Sequence, residues 1–184
     1  MKSLSNHFLI AMPKINDSLF GGSLVYLCGH NEDGAVGVII NKPSSVRMNQ
    51  LFEAIDIETP KRFSERWVLL GGPMQIDRGF FVHTPVGKWQ SSIIVNDDIA
   101  ITSSRDIITG LSEDSDETIK TIATIGYSNW TAGQLEKEIE SDQWLVVPSD
   151  MKILFDIPFF RRYDAALQKL GISAAHLSAE TGHA

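Results

Sequence analysis

Cys28-Gly29-His30 is the one local pairing in this 184-residue chain that could make a nucleophile. On a strand, side chains two residues apart share a face, so the imidazole could draw down the thiol pKa and hold a thiolate ready. Cys28 also closes the apolar run Leu-Val-Tyr-Leu-Cys, where a thiol serves equally as a small buried hydrophobe. A second arrangement joins two run ends. Asn41-Lys42-Pro43 offers an amide and a cation, and Gly71-Gly72-Pro73 follows Trp67-Val68-Leu69-Leu70. Consecutive glycines at a strand end can turn N–H groups toward an anion. Were these ends neighbours, His30, Asn41, Lys42, Gly71, Gly72 and His83 would form a candidate pocket for a phosphate or carboxylate. Ordinary turn chemistry accounts for the same glycines and prolines.

A third group, Tyr127, Trp130 and Gln134, is a candidate interaction surface beside a helix start. Thr131 and Gln134 have the spacing of a capping box, and Trp130 can staple onto Leu135, which gives the tryptophan a structural reading as well. The helix behind them carries Glu136, Glu138, Glu140 and Asp142 against Lys137 alone, so it would repel phosphates.

Other chemistry lacks its residues. Histidines 7, 30, 83, 176 and 183 show no i, i+2 or i, i+4 ligand spacing, and one cysteine permits neither a disulfide nor a thiolate cluster, so no metal site is expected. The fourteen glycines include no G-x-G, and G-x-x-x-x-G-K-[ST], G-x-S-x-G, H-E-x-x-H and C-x-x-C are absent. No cofactor is therefore expected. Sixteen basic against twenty-three acidic side chains give a net charge of −7, and residues 101–184 carry most of it. That balance argues against direct DNA binding. Lys61, Arg62 and Arg66 around Glu65, and Arg161-Arg162 beside Phe159, Phe160 and Tyr163, read as solvated or snorkelling edges. The longest apolar runs, Phe8 to Met12 and Leu24 to Cys28, are too short for a membrane span or a signal-peptide core, and a cytoplasmic protein is expected.

The elements that must position these residues follow from hydropathy and punctuation. Strands are predicted at 23–28, 36–41, 67–70, 80–83, 92–95, 99–102, about 119–125 and 144–147. Met48, Leu51, Phe52 and Ile55 make a helical stripe behind a Ser45 cap. A short helix follows Ser103, with Asp106 in its first turn and Ile107, Ile108 and Leu111 inward. A third follows Thr131, burying Leu135 and Ile139. A last one runs from Pro158 to a left-handed stop at Gly171, burying Phe160, Tyr163, Leu167 and Leu170. Clustered strands with isolated helices predict one α+β domain spanning residues 1–184.

Taken in order, the segments resemble the YqgE/AlgH family of bacterial proteins. The matching stretches are His7 to Pro13, His30, Gly34 to Pro43, Gly71-Gly72-Pro73, Asp77-Arg78-Gly79-Phe80 and His83-Thr84-Pro85. Thr102 to Asp106, Gly126-Tyr127 with Trp130, Gly133 to Glu136 with Glu138-Ile139, and Gly182-His183-Ala184 complete the set. Gly21-Gly22 departs from the bulkier or charged residues usual there. The resemblance implies a small closed β-barrel with a bifurcated mixed sheet surrounded by helices, and no catalytic residues come with it. One branch is named for a regulatory role in expression of an exopolysaccharide pathway. The expected function is a non-catalytic regulatory or adaptor protein that acts through a protein partner and affects transcription indirectly. The alternative is a binder of, or enzyme acting on, a small anionic metabolite at the Asn41/Lys42 and Gly71/Gly72 strand ends.

Overall fold

In the computed structural model, which describes the backbone of residues 1–181 and side chains through residue 177, ten strands form one sheet. They are β1 (His7–Ala11), β2 (Leu24–Asn31), β3 (Gly34–Ile39), β4 (Pro43–Arg47), β5 (Trp67–Leu70), β6 (Met74–Thr84), β7 (Ser92–Ile94), β8 (Ala100–Thr102), β9 (Lys120–Thr131) and β10 (Trp144–Pro148). The main path is β10-β1-β2-β3-β9-β6-β8-β7. Its neighbours all pair antiparallel. The long strand β9 forks the sheet. Residues Ser128 to Thr131 pair with β3, whereas Thr124 and Ile125 pair in parallel with β5, which carries β4 on its far side. At the fork Gly126 has φ +72°, and a Cβ there would lie 2.4 Å from the Gly72 carbonyl oxygen. Only glycine lets β5 and β9 approach so closely while β9 bends.

The fork and the mixed pairing match the expected bifurcated sheet, but the closed barrel does not form. β10 and β7 are the two ends of the path and do not pair with each other, so the curled sheet stays open. β7 has three residues and pairs only with β8, too little strand to span the gap.

Helices are α1 (Met48–Glu53), α2 (Asp106–Glu113), α3 (Gln134–Glu140), α4 (Met151–Phe155), α5 (Arg162–Gln168) and α6 (Ala174–Thr181). Side-chain alternation along the strands fills three cores. Phe8, Ile10, Leu24, Tyr26 and Cys28 face a core roofed by Ile153, Leu154, Ala166, Leu167 and Leu177 from α4, α5 and α6. Their sequence neighbours Leu9, Ala11, Val25 and Leu27 face the opposite core, closed by Trp130, Trp144 and Leu135 of α3. The third core packs α1 and α2 on Val68, Phe81 and Ala123. β1, unforeseen as a strand, is thus covered on both faces, which is why it reads as a continuous apolar run without alternation.

Other boundaries also moved. Ser45 lies in β4, and α1 is capped from Arg47, whose N–H donates to Gln50 Oε1 at 2.8 Å. α2 begins at Asp106 with Ile107, Ile108 and Leu111 buried, as predicted. The closing helix is broken. Phe159–Arg161 is a 3-10 turn before α5, and Gly171 does take φ +70°. Phe160, expected to be buried, is 67% exposed, and Leu170 is 40% exposed, because α5 ends at Gln168 and turns only Ala166 and Leu167 fully inward. α4 and α6 were not foreseen. The Gly182-His183-Ala184 motif lies outside the described residues. No helix among the described residues is long and apolar enough to cross a membrane.

Candidate functional site

The structure resolves the sequence candidates one at a time. Cys28 is buried in the core under α4–α6, its Sγ 3.8 Å from the Tyr26 carbonyl oxygen. Burial pushes its pKa up to about 12, opposite to what a thiolate nucleophile requires. A register shift between Leu27 and Gly29 breaks the strand alternation on which the Cys28/His30 pairing depended. His30 is committed elsewhere. Its Nδ1 accepts the Leu4 N–H at 2.9 Å, which leaves the proton on Nε2, donated to Glu136. That bond, followed by the residue's own backbone N–H, holds the Glu136 pKa below the usual carboxylate range.

The Asn41/Lys42 and Gly71/Gly72 strand ends are neighbours, since the Leu70 N–H donates to the Lys42 carbonyl and the Ile39 N–H to the Gly71 carbonyl, both at 2.8 Å. Their polar groups are turned onto the chain itself. Asn41 bonds the Leu24 N–H and the Gly22 carbonyl. The Lys42 ammonium donates to the carbonyls of Leu19 and Gly21, fastening the loop that holds Gly21-Gly22. The Gly71 N–H donates to Ile125, and its carbonyl also accepts the Ser128 hydroxyl at 3.0 Å. A Cβ on Gly71 would stand 2.4 Å from the Gly126 carbonyl oxygen, so the glycine pair serves the fork in the sheet. His83, fully buried on β6, donates from Nδ1 to the Pro85 carbonyl and accepts at Nε2 from Thr102, whose hydroxyl oxygen also meets Ser92 Oγ at 2.7 Å. Burial lowers its pKa, keeping it neutral.

Tyr127, Trp130 and Gln134, expected together beside a helix start, are separated because the strand before that helix is longer than predicted. β9 runs through Thr131, and its period of two sends Tyr127 to the core under α4–α6 and Trp130 to the opposite core. The Trp130 indole N–H donates to Glu138 Oε2 at 2.9 Å, and the same oxygen accepts the Trp144 indole at 2.8 Å. Gln134 reaches back to the Thr131 N–H at 3.0 Å, but α3 starts at Gln134 behind Gly133, so the predicted box is only half formed.

One concave feature gathers residues from six strands. A cleft of about 430 Å³ is floored by Cys28, Val36, Val38, Phe80 and Ile101 and rimmed by Gln75, Arg78, Ser91, Ser92, Ser103 and Tyr127. Because β2, β3, β9, β6, β8 and β7 all reach it, it occupies the open mouth of the curled sheet. The Phe80 and Tyr127 rings meet edge to face at 5.4 Å. Arg78 donates to Ser103 Oγ at 3.0 Å and has no carboxylate partner among the described residues. The rim is reached where β6 loops out of register between Met74 and Gly79. Sequence spacing gave no cue for this set. Arg78, Ser103 and Tyr127 stand in the family-like segments, but their meeting depends on the pairing of β6 with β8 and β9.

One free edge of the sheet, β7, lies beside this cleft. In the β7–β8 hairpin the Ser103 N–H bonds the Ser91 carbonyl and the Val95 N–H the Ile99 carbonyl, which sets the alternation of the ladder. The Ser92 and Ile94 backbone groups are therefore the ones aimed away from β8, at the open edge. Ile93 and Ile94 are 60% and 65% exposed, and Ile76 on the looped-out segment is 60% exposed. No group of three or more His, Cys, Asp or Glu side chains able to hold a metal converges among the described residues.

Comparison with known proteins places this architecture. The AlgH-like family model (DUF179) matches residues 8–175. A UPF0301 protein of Neisseria meningitidis serogroup C is 52% identical, covering 99% of this chain and all of that protein. A UPF0301 protein of Chromobacterium violaceum is 51% identical over 99% of this chain and 98% of that one. The solution structure of the AlgH protein of Pseudomonas aeruginosa is 37% identical with a TM-score of 0.79, covering 97% of this chain and 94% of that one. A crystal structure of a Corynebacterium diphtheriae protein shares the fold at 16% identity, with a TM-score of 0.71 over 92% and 87% of the two chains.

Proposed function

This chain belongs to the AlgH-like family, and from its geometry we propose that it is a non-catalytic regulatory adaptor of the cytoplasm that binds an extended segment of a protein partner along β7. The observation that carries this reading is the short, unpaired β7 edge with two exposed isoleucines, bordering a cleft that has an apolar floor and an arginine with no carboxylate partner among the described residues. Soluble proteins blunt their sheet edges with brevity, charge, proline or cover, and β7, though short, carries neither a charge nor a proline and leaves both isoleucines exposed. An incoming strand would bond the outward N–H and C=O groups of Ser92 and Ile94, lay alternate apolar side chains against Ile93 and the cleft, and present a carboxylate to Arg78. The spent state of Cys28, His30 and His83 supports a binding role over a catalytic one. The acidic face of α3 and the net charge support an effect on transcription that passes through the partner and not through DNA.

Selection of a displayed library of unstructured peptides on the folded chain tests the reading. Enriched peptides should combine alternating apolar residues with an acidic residue and should shift the Ser92 and Ile94 amide resonances. Ile94→Pro removes an outward donor without touching the β7–β8 ladder and should abolish that binding. Peptides that bind Ile94→Pro as well as they bind the parent chain would overturn it.

A further inference from the structure

Five of the seven arginines of this acidic chain, Arg47, Arg62, Arg66, Arg161 and Arg162, gather around a second cleft remote from β7. It has a volume of about 340 Å³ and lies where the 3-10 turn before α5 faces β5 and β9. Its walls are aromatic, with Phe63, Trp67, Phe159 and Phe160 among the lining residues. The arginines are laid against these rings. Arg47 stands 3.9 Å from the Trp67 ring centre, Arg62 and Arg66 stand 4.5 Å and 5.3 Å from that of Phe63, and Arg161 stands 5.9 Å from that of Phe160.

Two of these cations, Arg66 and Arg162, line the cleft itself, and neither forms an ion pair among the described residues. Arg162 is more than nine-tenths buried. Its Nε donates to the Ile153 and Ile157 carbonyls and its Nη1 to the Ile40 carbonyl, which leaves Nη2 with no acceptor among the described residues. No carboxylate pairs with it among the described residues. Burial, and then repulsion from Arg66, lowers its pKa to about 10, so the two guanidiniums are close enough to oppose each other. Arg66 forms no ion pair among the described residues either. The nearby acids are Glu65, largely exposed and 3.9 Å from Arg47, Asp156, which Lys120 already holds at 2.9 Å, and Glu117, whose charge favours the Arg66 cation without forming an ion pair with it. Placing like charges together in a partly desolvated site is unfavourable until an anion sits between them.

We propose that this cleft binds a small aromatic anion, its ring held among Phe63, Trp67 and Phe159 and its phosphate or carboxylate held by Arg66 and Arg162. The volume suits a small molecule and leaves no room for a nucleic-acid duplex. Arginine forks match planar or tetrahedral oxyanions, and the aromatic walls select for a ring over a bare ion. The site is separate from the β7 edge, and an anionic ligand here would be the small-molecule input to a chain whose other face meets protein.

Titration of the isotope-labelled chain, followed by amide and indole N–H resonances, tests this with five probes. AMP and 2-naphthoate carry ring and charge, adenosine and 2-naphthol carry the ring alone, and inorganic phosphate carries charge alone. The ring-plus-charge probes should shift the Trp67 indole and the amides of 155–157 and 159–162, binding at least tenfold more tightly than the other three. Whichever of AMP and 2-naphthoate binds tighter assigns the anion as phosphate or carboxylate. Arg66→Gln, at an exposed position, should leave the fold intact and weaken these probes by roughly tenfold, with Arg66→Lys restoring part of the loss. Equal affinity for charged and uncharged rings, equal affinity for phosphate alone, unchanged binding in Arg66→Gln, or shifts confined to other residues would each overturn the proposal. Arg162→Gln is the harsher variant because it also frees three carbonyls, so Arg66→Gln is the deciding substitution.

Discussion

Glu138 on α3 accepts the indole N–H groups of both Trp130 and Trp144, and Glu136 beside it accepts His30, whereas Arg66 and Arg162 have no carboxylate within ion-pair distance among the described residues. By formal charge α3 is the conspicuous region and the arginine cleft is diluted by surrounding acids. By hydrogen bonding the order reverses. The carboxylates of α3 that face inward are satisfied by the fold, so they stabilise it and recognise nothing. The Arg162 guanidinium is held only by backbone carbonyls, which solvate a cation without neutralising it, and the Arg66 side chain makes no hydrogen bond among the described residues. A charge is available for binding when folding has left it without a counter-charge, not when it is merely abundant.

The sharpest test of this contrast is Glu138→Ala. It strips the acceptor from two buried indoles at once and should cost about 3 kcal/mol in chemical denaturation while leaving aromatic-anion binding unchanged. A loss below ~1 kcal/mol would mean that Glu138 is a surface charge and would break the comparison. Arg162→Met should cost less, about 2 kcal/mol. It leaves the Ile40, Ile153 and Ile157 carbonyls without their donor, but it also removes a desolvated cation opposed by Arg66, and the two effects partly cancel. Saturating AMP or 2-naphthoate should raise the midpoint temperature of the parent chain and not that of Arg162→Met.

The smallest effect is in pH dependence. Because the Glu136 pKa is depressed on folding, its contribution is fully present above the unfolded carboxylate value, near pH 4.3, and is lost as pH falls through the folded value. Glu136→Gln should flatten the acid limb of the stability curve, lowering stability above about pH 5, where the contribution is fully present, and converging with the parent in stronger acid, as measured by urea unfolding across pH. Parallel acid limbs in parent and variant would show that His30 does not favour the charged carboxylate.

Much of the scaffold was legible in the sequence. Val36 to Ile40, Trp67 to Leu70 and Ile99 to Thr102 announce strands through apolar and β-branched runs between turn residues, and the α2 stripe is plain in Ile107, Ile108 and Leu111. β1 was not legible, because a strand buried on both faces loses the alternation by which strands are read. The segment before α3 misled for a related reason: Tyr127 to Trp130 look like a capped helix approach when β9 is in truth extended through them. Asn41 and Lys42 were found as neighbours of Gly71 and Gly72, but sequence could not show that their donors point back into the chain. The Cys28/His30 pairing assumed unbroken alternation, and the shift after Leu27 removed it.

The sequence by itself determined the α+β class, the family, the apolar faces of most elements and the absence of the common catalytic motifs, because these depend on local spacing and composition. The tertiary structure alone decided that the sheet stays open at β7, that Arg78 meets Ser103 and Tyr127, and that Arg66 and Arg162, read separately as ordinary edges, share one aromatic cleft. The physical reason is that a side chain's chemistry is set by its nearest partner. For a buried cation whose neighbour lies about a hundred residues away along the chain, that partner exists only after folding.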